Sequence, residues 1–129
     1  MSTIFSKIIN KEIPSHIVAE NDKFLAFLDA FPLKKGHVLV IPKIEVDYFF
    51  DIDDELLSEM IVFSKMVSSK IKTAFPCKKV GMSVVGLEVP HAHIHLIPIN
   101  EISDMSFSNP KLNLDKSELE EIANAIIRS

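Results

Sequence analysis

Three histidines stand at alternate positions in His91-Ala92-His93-Ile94-His95. Successive side chains of a β-strand point to opposite faces, so the three imidazoles share one face while Ala92 and Ile94 take the other. Such spacing suits a purely structural role badly. A buried imidazole is costly without partners, and three charged neighbours repel. Imidazole titrates near neutral pH, so one ring can attack as the neutral base while others carry protons. A phosphate oxyanion favours those protonated neighbours, and they offset its charge. The pattern therefore points to phosphoryl or nucleotidyl transfer in two steps, through a phosphorus–nitrogen intermediate on a histidine. His93 has a histidine on each side and is the ring placed to attack. His91 and His95 are placed to hold oxygens or to protonate the leaving group.

Two other readings compete. The plain one is an exposed polar strand face that happens to carry histidines. The other is a metal centre, since histidine is a common zinc ligand. On one strand, however, positions 91 and 95 lie ~13 Å apart at Cα, four rises of ~3.3 Å. Imidazoles leaving the sheet in parallel cannot all close to ~2.1 Å from one ion. Two of them together with His37 keep a metal alternative open.

The rest of the chain bounds what such a site serves. Its 129 residues fit one domain able to bury a real core. Apolar residues at 47% and charged residues at 25% are the balance of a globular chain. A formal charge of −4 argues against general affinity for nucleic acid backbones, though not against a locally positive site for a small anion. Cys77 is the single cysteine, which excludes an intrachain disulfide and a thiolate cluster. Met1 to Ser6 lack the basic start and apolar run of a signal peptide, and no stretch approaches the ~20 apolar residues of a membrane span. A cytoplasmic location without membrane association is expected.

The elements that must position the histidines follow from pattern. Met1 to Ile13 reads as a short amphipathic helix, capped by Ser2 or Thr3 and stopped by Pro14. Ile17–Glu20 and Phe24–Asp29 read as a hairpin around Asn21-Asp22, and His37–Pro42 as a third strand. Asp51 to Phe75 is the clearest helix, with Asp51 or Asp53 as cap. Leu56, Met60, Phe63, Val67, Ile71 and Ala74 form its buried stripe. Lys79–Val85 and His93–Ile99 read as two more strands. A last helix follows, with Ser117 and Glu120 spaced as a capping box. Strands joined by short turns favour antiparallel pairing, so the expected class is α+β in one domain.

With these blocks assembled, the chain resembles the histidine triad (HIT) family. The family motif, His-x-His-x-His and two apolar residues, stands here as His91-Ala92-His93-Ile94-His95-Leu96-Ile97. Ile4–Ile9 with Glu12-Ile13-Pro14, Leu25–Asp29 and His37–Lys43 match the family's earlier blocks in order and spacing. The resemblance covers residues 4–98, with a C-terminal extension whose helix spans about 115–128. It implies a HIT-like fold, a five-stranded antiparallel sheet with a long helix and short terminal helices, paired as a homodimer. It implies hydrolysis of a purine nucleoside 5′-phosphoramidate or acyl-adenylate through a nucleotidyl-histidine, without a cofactor. A dinucleoside polyphosphate hydrolase, or a nucleotide-binding module with weak catalysis, is the alternative. By resemblance His93 is the nucleophile, and His91, His95 and His37 complete the histidine environment of the phosphate. Asp29 meets the ribose hydroxyls, and Phe5, Ile8, Ile13, Phe27 and Leu39 line the base pocket, with Gly86 also on the nucleotide-binding side. Leu87 and Glu88 stand where many relatives have a glutamine and a hydroxyl residue. Thr3 and Ser6 stand where some bacterial relatives carry Cys-x-x-Cys, so no structural zinc is expected.

Overall fold

The computed structural model describes residues 3–129, in which three helices pack on a five-stranded sheet. The strands are β1 (Ile17–Glu20), β2 (Phe24–Leu28), β3 (Val38–Pro42), β4 (Lys79–Ser83) and β5 (Ile94–Ile99). They are arranged β1-β2-β3-β5-β4, and every neighbouring pair is antiparallel. The helices are α1 (Ile4–Ile9), α2 (Asp54–Ala74) and α3 (Lys116–Ile127). This is the expected α+β architecture.

The sheet is covered on both sides, which explains why every residue of β2 and β3 is buried. Phe24, Ala26 and Leu28 on β2 and Val38 and Val40 on β3 join the core under α2 and α3. The alternate residues Leu25, Phe27, Leu39 and Ile41 join a second cluster with Phe5 and Ile8 of α1. Met60, Phe63, Val67 and Ile71 are the buried stripe of α2, while Leu56 and Ala74 at its ends are only partly covered. Leu119, Ile122, Ala123 and Ile126 close the same core from α3.

The boundaries differ from the sequence pattern where a local polar bond outbids periodicity. Helix α1 starts at Ile4 because the Thr3 hydroxyl accepts from the Ser6 amide at 2.9 Å. The alternative cap, Ser2, lies outside the described residues. The helix ends at Ile9, four residues before Ile13, because Lys11 takes a left-handed φ of 62°. A 3-10 turn over Phe49–Asp51 precedes α2, so Asp53 rather than Asp51 is the cap, accepting from the Leu56 amide at 2.9 Å. Phe75 ends α2 outside the helical region, at φ −128° and ψ 87°, as the α conformation is disfavoured before proline. In α3 the capping box is Asp115 with Glu118, not Ser117 with Glu120. A carboxylate two residues earlier takes the exposed amide, and Ser117 becomes part of the first turn.

Gly36 is fixed by space as well as by its φ of 98°. A Cβ there would meet Phe75 Cδ2 at 2.9 Å, so the turn into β3 seats against the end of α2. Met60 has no exposed surface. Met60→Ala is expected to lower the unfolding free energy by about 2–5 kcal/mol in urea denaturation, whereas exposed Glu121→Ala stays within about 0.5 kcal/mol.

Candidate active site

The histidine face is built just before and at the start of β5. The strand begins at Ile94, not at His93, because the Ala92 amide turns aside to bond Val46 O at 2.6 Å. Even so, the alternation survives. Ala92, Ile94 and Leu96 enter the core under α2, and the three imidazoles take the opposite side. The rings of His93 and His95 lie 4.9 Å apart at their centroids, and His37 of the neighbouring turn lies 5.2 Å from His95. Phe5 of α1 stands edge-on to His93 at 5.1 Å and to His91 at 5.8 Å. All four histidines are buried, so the exposed polar face is not what the chain forms.

Burial makes each ring nitrogen accountable, and the partners fix the tautomers. His93 Nδ1 lies 2.7 Å from the His91 carbonyl, which can only accept, so Nδ1 carries the proton and Nε2 the lone pair. His91 Nε2 likewise donates to Pro42 O at 2.9 Å, leaving Nδ1 to accept from the Thr3 hydroxyl at 3.0 Å. The Leu33 amide donates to His37 Nδ1 at 3.0 Å, so the His37 proton sits on Nε2. That proton is given to His95 Nδ1, 3.0 Å away, and His95 is left with its own proton on Nε2. The site thus presents one nucleophilic nitrogen, on His93, beside one donor, on His95.

The charge state differs from the sequence expectation of protonated flanking rings. Burial pushes the His37 pKa down to about 3, helped by the neighbouring His95 and Lys111 charges. Burial, then His93 and Lys111, takes His95 down to about 4. Burial also lowers His91, against the opposing pull of the Pro42 carbonyl and Glu45. Near neutral pH these rings are dipolar donors and acceptors rather than cations.

Asp29 follows β2, and its amide bonds the His37 carbonyl at 3.1 Å. Its Oδ1 accepts from the Phe31 amide at 2.9 Å, and its Oδ2 stands 3.7 Å from His37 Nε2. Burial raises its pKa, while the Phe31 amide and the Lys111 charge work the other way. Phe5, Ile8, Phe27 and Leu39 form one apolar cluster, with Ile13 packed at its edge, and the Phe5 ring joins that cluster to His93. Gly86 stands apart on the β4–β5 connection at φ 70°, with open space around a would-be Cβ. Leu87 beside it is 90% exposed and packs on nothing that fixes it.

Donor atoms of Asp29, His37 and His95 all lie within 4.8 Å of one another, a spacing compatible with a cation. The tautomers oppose one. Closing His37 Nε2 on a metal would move its proton to Nδ1 and break the Leu33 bond.

Several partners escaped the sequence reading. The Glu45 carboxylate accepts from Ser6 Oγ and, at 3.0 Å, from the Thr3 amide, tying α1 to the residues after β3. Phe107 lies beyond the motif, yet its ring sits 4.8 Å from His95. An isolated aromatic in the polar stretch after Asn100 was the one available signal.

The HIT domain family model matches residues 10–102. This chain belongs to the HIT family. A HIT-like protein of Borreliella burgdorferi, described as uncharacterized, is 37% identical over 131 residues, covering 95% of this chain and 94% of that protein. The adenosine 5′-monophosphoramidase HNT1 of Saccharomyces cerevisiae is 38% identical over 96 residues, 74% of this chain and 61% of that protein. Among solved structures, a Hit-like protein from Bartonella henselae superposes with a TM-score of 0.85 at 32% identity. That match covers 98% of this chain and 95% of the other. No helix among the described residues of this HIT protein is long and apolar enough to cross a membrane.

The neutral rings carry a signature in stability. His37 and His95 fall from an ordinary 6.5 to about 3 and about 4, so below about pH 6.5 the unfolded chain binds protons that the folded one does not. Their contribution is complete above that pH and is lost as pH falls toward the folded values. Urea midpoints are expected to drop from about pH 7 to 4.5, with a shallower drop in His37→Gln. An equal slope in the variant would contradict the buried neutral ring.

Proposed function

We propose that this HIT protein cleaves a purine nucleoside 5′-phosphoramidate or acyl-adenylate through a nucleotidyl intermediate on His93. One observation carries the reading: the bond from His93 Nδ1 to the His91 carbonyl at 2.7 Å leaves Nε2 with a free lone pair on the histidine face. Nε2 attacks the α-phosphorus, a P–Nε2 bond forms, and the bond to the leaving group breaks, an amine taking its proton from solvent and an acyl oxygen departing as carboxylate. Water then attacks phosphorus, the P–Nε2 bond breaks, and the nucleoside monophosphate is released. The His95 Nε2–H donates to a non-bridging oxygen as negative charge gathers there. Asp29 receives the ribose hydroxyls, and the apolar cluster around Phe5, Phe27 and Leu39 receives the base. The likeness to a Saccharomyces protein named as an adenosine 5′-monophosphoramidase supports the nucleotide and the amine leaving group.

We further propose a homodimer. Strand β4 ends the sheet with one edge unpaired, and Met82, Val84 and Val85 are exposed on and just beyond it. Ile61, Val62 and Met66 are exposed on α2.

Wild-type protein is expected to turn over adenosine 5′-phosphoramidate in the presence of a chelator, with a loss of about 10³-fold or more in His93→Ala. Turnover abolished by chelator and restored by zinc would overturn the metal-free route. Nucleotide binding without turnover would make the chain a binding module. Light scattering at micromolar concentration is expected to give the mass of a dimer; a monomer contradicts the paired sheet.

A further inference from the structure

A nucleotide phosphate is anionic, while burial leaves His37, His91 and His95 as neutral rings that offer it dipoles rather than charge, so a cation beside them would complete the site. Other lysines near the fold's acidic groups are engaged: Lys34 pairs with Asp104 at 3.1 Å, and Lys43 with Glu20 at 2.7 Å. Lys111 has no carboxylate within 4.0 Å among the described residues. Its Nζ rests on the Phe107 carbonyl at 3.1 Å.

The segment that carries Lys111 is held against the site at three points. Met105 sits where Gly81 leaves room, its Sδ only 2.6 Å from the position a Cβ would occupy. The Phe107 ring lies 4.8 Å from His95 and 6.5 Å from His37. The Leu112 amide bonds Pro32 O at 2.8 Å, next to Phe31, whose own amide binds Asp29. Lys111 therefore lies between a contact on the His95 side and a contact on the Asp29 side. Beyond the larger effect of burial, its charge is felt by Asp29, His37 and His95 together.

We propose that Lys111 is a phosphate-binding residue of this site, its ammonium exchanging the Phe107 carbonyl for the phosphate oxygens of a nucleotide held at His93. The inference rests on the nucleotide reading above and adds to it the residue that senses the phosphate charge. A single flexible stem makes the exchange, and the carbonyl it leaves belongs to a half-buried residue that solvent can reach. The segment after the triad thereby selects for the anionic phosphate rather than for the nucleoside.

Calorimetry with adenosine 5′-monophosphate and with adenosine tests this in the full chain. Lys111→Met is expected to weaken the monophosphate about tenfold, the size of one lost charged hydrogen bond, and to leave adenosine unchanged. Lys111→Arg restores most of the loss. The variant's affinity should also depend less on salt. Wild type that binds the monophosphate with no change in Lys111→Met, or with equal loss for both ligands, overturns the role of Lys111 alone. Wild type that binds neither ligand overturns the nucleotide reading, and this inference with it.

Discussion

The hydrogen bond from the Leu33 amide into His37 Nδ1 gives the histidine face its direction. A backbone N–H can only donate, so one neutral imidazole is forced to carry its proton on Nε2. That proton goes to His95 Nδ1, and the His95 proton is turned outward in consequence. At the other end the His91 carbonyl, which can only accept, forces His93 the opposite way. Two backbone groups thus make one ring a donor and leave its neighbour with a bare Nε2. No charge on the rings is needed to do it.

This arrangement is possible because the sheet is covered on both sides. The α2 and α3 core holds β5 through Ile94 and Leu96 and the residues before it through Ala92, while α1 brings Phe5 down on His91 and His93. Burial then makes the enclosed ring nitrogens find partners, leaving only the Nε2 atoms of His93 and His95 for a ligand, and no fully buried side-chain polar atom among the described residues lacks a partner. The same burial discharges His37 and His95.

Much of this was legible in the sequence. The alternation of imidazole with Ala92 and Ile94 read correctly as two faces, since it depends only on backbone geometry. The strands of the sheet were legible from β-branched runs, and the long helix from its stripe of Met60, Phe63, Val67 and Ile71. What escaped depends on chain segments remote in sequence. The neutral rings required knowing that α1 and Phe107 would cover them. The hydroxyl of Thr3 and the amide of Leu33 have no periodicity to reveal that they reach His91 and His37. Asp115 took the α3 cap from Ser117 because a pattern of capping residues leaves the choice between neighbouring candidates open.

The central claim is the direction of the protons, and nitrogen NMR of the ring resonances reads it directly. The account predicts that the neutral His93 ring carries its proton on Nδ1 and leaves Nε2 bare, and that without ligand at neutral pH His37 and His95 both carry theirs on Nε2. A neutral His93 ring protonated at Nε2, or His95 protonated at Nδ1, would contradict it.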